Sequence, residues 1–168
     1  MTKDFITQPS LYVDGTSYLG KVTEMVPPKI TPKFREFLAA GMSSPIDIPL
    51  GQIEKMECEF TLGTYEKEML KQVRVTPGGT VPLVMRAGVM KDDGSKGQVI
   101  ITMRGHVKEI DRGTWKPDDD TTLKISMTLS YYKEVIDGET VLEADPLNYK
   151  IMSGGVDYLA ETARFIGA

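Results

Sequence analysis

The chain has one cysteine, one histidine and one tryptophan among its 168 residues. A single cysteine, Cys58, excludes an internal disulfide and a thiolate metal cluster. The single histidine, His106, lies outside any readable cleft, so most acid–base schemes lose their commonest participant and a metal site has no second imidazole. Basic residues are also in deficit, 20 against 24 acidic ones, for a net charge of −4. That balance argues against a protein that grips nucleic acid through a basic face, though not against one that lets nucleic acid pass. No apolar run approaches the roughly 18 residues of a membrane span. The opening "MTKDFITQPS" lacks the apolar segment of a signal peptide, so synthesis in the cytosol without Sec-type export is expected.

What is present is strand-like. "LYVDGTSYLGKV" reads as a hairpin around Asp14-Gly15, Asp-Gly being a preferred two-residue turn. "EKMECEFTL" alternates, placing Met56, Cys58, Phe60 and Leu62 on one face and Glu57, Glu59 and Thr61 on the other. "VPLVMRAGVM" is more continuously apolar, and "KDDGSKG" is a turn into "QVIITMRGHVKEI". Residues 121–136 alternate almost without a break, apolar at Leu123, Ile125, Met127 and Leu129, polar at Lys124, Ser126, Thr128 and Ser130. At about 3.3 Å per residue this run would span on the order of 50 Å, longer than one small core should need. Its overhang should therefore expose a sheet edge that invites pairing. Helix preference is confined to 65–73 and to a C-terminal stripe over 156–166 closed by Gly167. The expectation is a single mainly β domain over 1–168, with one or two short helices.

Residues 27–51 stand apart. They carry five prolines and little strand or helix pattern, yet their apolar content (Ile30, Phe34, Phe37, Leu38, Met42, Ile46, Ile48, Leu50) is high for a disordered segment. An extended arm that buries itself on a neighbouring subunit fits both facts. Within it, Pro45 and Pro49 make a poor central strand.

Chemical sites are weak by comparison. Arg104, His106 and Lys108 share one strand face, and two cations beside a histidine do not make a metal site. Asp118-Asp119-Asp120 lacks the alternating ligands, central glycine and terminal glutamate of a calcium loop. "TPGGT" lacks the lysine and spacing of a phosphate loop. No catalytic residue, metal ligand or cofactor is assigned.

Read in order, "LYVDGTSYLGKVTEMVPPKIT", "AAGM", "SSPIDIPLG", "MRGHVKEIDRGTWK", "LSYYKEVIDGETVLEADPLN" and "GGVDYLAETARFIG" resemble the major tail tube proteins of contractile-tailed bacteriophages and of headless R-type pyocins. The resemblance runs along essentially the whole chain and is least sharp over 60–98. It implies a β-barrel or packed sheets, six copies per ring, and rings stacked into a hollow tube in the virion. It implies no enzymatic activity. The implied partners are further copies of the chain, a contractile sheath, baseplate or tube-initiator and terminator proteins, and a tape measure protein and DNA in the lumen. A headless bacteriocin tube or a type VI-like secretion tube is the alternative. On this view Lys29, Gly41, Met42, Ile46, Ile48, Arg104, Lys108, Glu109, Asp111 and Trp115 are candidates for contacts between subunits or rings. Glu57, Glu59, Lys124, Ser126 and Thr128 are candidates for the channel wall, where the two glutamates are expected to repel phosphate.

Overall fold

Period-two alternation becomes strand throughout the computed structural model, which describes residues 3–167. The strands are β1 (Asp4–Val13), β2 (Thr16–Ser17), β3 (Val22–Val26), β4 (Pro32–Phe37), β5 (Ile46–Ile53), β6 (Met56–Leu62), β7 (Val81–Lys91), β8 (Lys96–Asp111), β9 (Leu123–Ile136), β10 (Glu139–Asp145), β11 (Lys150–Ser153) and β12 (Val156–Asp157). Two short α-helices, α1 (Lys67–Leu70) and α2 (Ala160–Phe165), and a 3-10 turn at Pro146–Asn148 complete the regular structure of the described residues. No helix among the described residues is long and apolar enough to cross a membrane.

One sheet runs β12-β11-β10-β9-β8-β7-β1-β2, with β6 added to β9 and β3 to β6. It wraps around a single core. Leu11 and Val13 of β1, Leu83 and Met85 of β7, Met103 of β8, Ile125 and Met127 of β9 and Phe60 of β6 all belong to one buried cluster. The Asp14-Gly15 turn forms as expected, and a second turn forms at Asp137-Gly138, each with two consecutive positive φ angles, the backbone of a tight hairpin turn. Met69, the buried residue of α1, joins this core. Beside it, Lys21 accepts from the Gly63 amide at 2.8 Å and pairs with Glu66 at 3.0 Å.

The long strand is real, but its length is used within the subunit. One edge of β9 pairs with β8 from end to end. The other edge is divided, Leu123–Leu129 pairing with β6 and Tyr132–Ile136 with β10. The overhang expected to expose an edge is therefore covered by the β10–β12 ribbon. The division falls at a bulge. Arg104 pairs with Tyr131 and Gly105 with Leu129, leaving Ser130 without a partner on β8. Burial changes phase there, from odd positions through Leu129 to Tyr132. Gly105 sits against this bulge so closely that a Cβ would overlap the Thr128 carbonyl oxygen and lie 2.8 Å from the Leu129 Cα.

Three expectations need correction. Residues 27–51 are not an unpatterned arm but carry the hairpin β4–β5. Pro49 is tolerated because a two-stranded ribbon has only edge strands. The helix expected over 65–73 is the single turn of α1, since so short a segment gains too few hydrogen bonds to extend itself. The C-terminal helix begins at Ala160 rather than Val156. Gly154 and Gly155, both at positive φ, turn the chain so that Val156 pairs with Ser153.

Candidate functional site

Two surfaces hold most of the residues singled out above. The first is the β4–β5 hairpin. Phe37 faces Ile46, Arg35 faces Ile48 and Glu36 faces Asp47 across the ladder. Every residue of β4 is exposed, as is every residue of β5 before Ile53. Phe34, Phe37, Ile46 and Ile48 keep 54, 40, 49 and 42% of their surface in water. The turn at the tip is internally tied. Gly41 holds φ +88°, and the Met42 amide donates to the Ala39 carbonyl at 3.2 Å, leaving Met42 half-buried. Lys29, exposed on the loop before β4, lines a groove of about 460 Å³ with Glu54, Lys55 and Glu57.

The second surface is the outer face of β6, β9 and β8, opposite the core. Strand register builds it in three rows: Glu57–Thr128–His106, Glu59–Ser126–Glu109 and Thr61–Lys124–Asp111. A second bulge, between Val107 and Glu109, turns both Lys108 and Glu109 outward. The candidates for ring contact (Arg104, Lys108, Glu109, Asp111) and for the channel wall (Glu57, Glu59, Lys124, Ser126, Thr128) therefore occupy one continuous face, not two.

Four of the charged side chains on this face, Glu57, Glu59, Lys108 and Lys124, are already paired. The Lys108 Nζ lies 2.7 Å and the Lys55 Nζ 3.3 Å from Glu57, and the Lys124 Nζ lies 3.4 Å from Glu59. Hydrogen bonding from Lys108, then from Lys55, holds the Glu57 carboxyl below its ordinary value, and Glu57 in turn raises Lys108. Locally this face is mixed in sign, with Lys55, Lys108 and Lys124 set among Glu57 and Glu59. Lys55 was missed in the sequence as a partner of Glu57. The Lys108 pair spans 51 positions and depends on a bulge that periodicity does not reveal. Farther up, Arg104 stacks over the Tyr131 ring at 4.3 Å.

Trp115 lies on neither surface. It is 73% exposed on the β8–β9 loop and meets Tyr65 edge-on, with ring centroids 6.1 Å apart. It is thus not a core anchor. Arg112 Nε donates to the Tyr65 hydroxyl at 3.0 Å. Among the described residues no cluster of three histidine, cysteine or carboxylate side chains could hold a metal. Cys58 is buried, and desolvation pushes its thiol up to about 12.

The model of the family described as phage tail tube protein FII matches residues 3–167. The tail tube protein of Escherichia phage P2 is 32% identical over 162 residues, covering 94% of each chain. The major tail tube protein of Serratia phage KSP20 is 30% identical over 141 residues, covering 83% of this chain and 81% of that one. Among solved structures, a PVC sheath–tube complex of an extracellular contractile injection system matches with a TM-score of 0.57 at 9% identity, covering 76% of this chain and 88% of that one. The PVC sheath/tube terminator of such a system also matches, with a TM-score of 0.57 at 8% identity, covering 77% and 94%.

Proposed function

Because the chain belongs to the phage tail tube protein FII family, we propose that it is the repeating subunit of a contractile particle's inner tail tube, self-associating into stacked rings around a channel. The observation that carries this reading is the hairpin. A separate monomer would hold Phe34, Phe37, Ile46 and Ile48 about half in water, forgoing part of the roughly 1.5–3 kcal/mol that full burial of each would contribute. A second copy covers them at no cost to the core. Six copies per ring, closed by rotational symmetry, is the stoichiometry expected.

In this reading the three polar rows of β6, β9 and β8 face the channel. Hydroxyls and paired charges hold their own hydration, and their mixed signs give DNA no basic groove to adhere to. The sheath, baseplate, terminator and tape measure proteins are the further partners, with synthesis in the host cytoplasm before assembly into the virion. The alternative, a headless particle with the same tube, draws support from the likeness to extracellular contractile injection systems, a likeness of fold. Negative-stain microscopy of concentrated protein, with sedimentation across a wide concentration range, tests the proposal. Hollow fibres of even diameter are expected, and a strict monomer that a baseplate cannot convert into tubes refutes it.

A further inference from the structure

The C-terminal end of the sheet is joined to the rest by few contacts for its length. Beyond Asp137 the chain builds β10, β11, β12 and α2. Of these, β10 meets the barrel only along β9, from Glu139 to Ala144, and Val141 is left out of that ladder. Burial is slight too. Ala144 is fully enclosed and Leu142 partly so, while β11, β12 and α2 hold no fully buried residue.

Other ties to the barrel are sparse. Among the described residues no ion pair crosses from 138–167 to the rest, since Lys150–Glu143 and Arg164–Glu161 are both internal. One side-chain hydrogen bond crosses, donated by the Tyr131 hydroxyl to Glu143 at 3.4 Å, long for a bond between oxygens. Closure also carries a cost. Asp145 is 8% exposed, and Lys150, opposite it on the ladder, pairs with Glu143 instead. Asn148 is left as the side-chain partner of Asp145, and a buried carboxylate without a cation disfavours the state that buries it.

A pivot is present at the start of the unit. Asp137 is pinned to β8, its amide donating to the Gln98 carbonyl at 3.0 Å and its carboxylate accepting from the Gln98 amide at 2.8 Å. Gly138 follows at φ +83°, with open space where a Cβ would stand. β9 keeps its place without the unit, because Tyr132–Ile136 is held on its other edge by β8. We infer that residues 138–167 open as one unit about Gly138 while the barrel stays folded, the closed unit being a latch over the β9 edge. Elements with little buried apolar surface and few ties open at a lower free energy than the whole domain. Opened, the subunit bares backbone groups of β9 that β10 had satisfied, an edge with which another strand can pair. The opening belongs to the single subunit and does not depend on tube formation.

Hydrogen exchange of the dilute full-length chain, followed by mass spectrometry at rising urea below the unfolding midpoint, tests this. Amides of β10, β11 and β12, with the β9 amides that bond to β10, should share one urea dependence. They should exchange at least about tenfold faster than the amides joining β6 to β9. Equal protection in the two regions overturns the proposal. So does a graded profile in which β12 and β11 exchange while β10 holds to the global limit. A lock supplies the second arm: Lys133→Cys with Glu143→Cys, opposite each other on the ladder. The native thiol is buried and stays out. Closing the disulfide should slow exchange in β10 at least about tenfold relative to the same variant reduced, which controls for the lost Lys150 pair. Exchange in β10 unchanged by the closed disulfide overturns the proposal. Should the disulfide not close, the wild-type profile decides alone.

Discussion

The β6–β9 pair and the β4–β5 hairpin are built from similar material and meet opposite fates. Both are antiparallel and both mix apolar with polar residues. Yet Met56, Cys58, Phe60 and Leu62 are at most 1% exposed, while Phe34, Phe37, Ile46 and Ile48 are 40% exposed or more. The β6–β9 pair has β3 and β8 beside it and a sheet wrapped over its apolar face. Among the described residues the hairpin is a separate two-stranded sheet, and only near its root does Gly51 lie beside Leu159 of the C-terminal segment. Alternation makes strands; only a facing surface makes a core.

The contrast can be broken most forcefully at Phe60. Phe60→Ala should destabilise the monomer by about 3–5 kcal/mol, read as a lower urea midpoint at unchanged slope. A loss under about 1 kcal/mol would mean that the barrel interior collapses around the gap and is not packed as described.

Gly105→Ala is expected to follow, at about 3 kcal/mol, because the added methyl meets strand backbone that cannot rotate away. Gly15→Ala probes a different mechanism, since nothing lies near that glycine and only its positive φ resists substitution. It should cost about 1 kcal/mol. Equal melting losses for the two variants would contradict the tight crossing at Ser130.

The Cys58 thiol sharpens the comparison through pH. Its folded value, about 12, lies above the ordinary thiol range near 9. Stability from keeping it neutral is therefore complete below the unfolded value and is lost as pH rises toward 12. Subtracting the pH profile of Cys58→Ala from that of the wild type should isolate a decline beginning near pH 9; a flat difference would place the thiol in contact with water. At neutral pH Cys58 should resist a thiol reagent that labels Ser44→Cys in the hairpin at once.

The smallest effect on the monomer belongs to the hairpin itself. Ile46→Asp with Ile48→Asp should leave its melting within about 0.5 kcal/mol of wild type, while abolishing tubes. Circular dichroism reports the first and negative-stain imaging the second. A double variant that unfolds would assign the hairpin to the core, and one that still forms tubes would remove it from assembly.

Much of this was legible beforehand. The odd-even pattern of 123–129 and the 56–62 alternation named the buried face residue by residue, and the Asp14-Gly15 pair located a turn. The polar positions of β6 and β9 could be named because the solvent-facing positions of strands can be counted. What escaped reading has a common cause. The hairpin was hidden because prolines count as strand breakers only when the strand has two neighbours. The start of α2 was misplaced because Val156 fits a helical stripe as well as a strand, and Gly154-Gly155 decided between them. The burial switch at Ser130 was invisible because a bulge belongs to a pair of strands.

Composition and alternation by themselves determined the fold class, the buried residues of β6 and β9, and the absence of thiolate clusters, because these depend on side-chain chemistry and on a backbone period of two. The tertiary structure alone decided that β9 shares one edge between β6 and β10, that Glu57 is flanked by Lys55 and Lys108, and that β1 and β3 leave an apolar seam between them. Each of those facts concerns which strand lies beside which, and strand order is fixed by contacts between residues far apart in the chain.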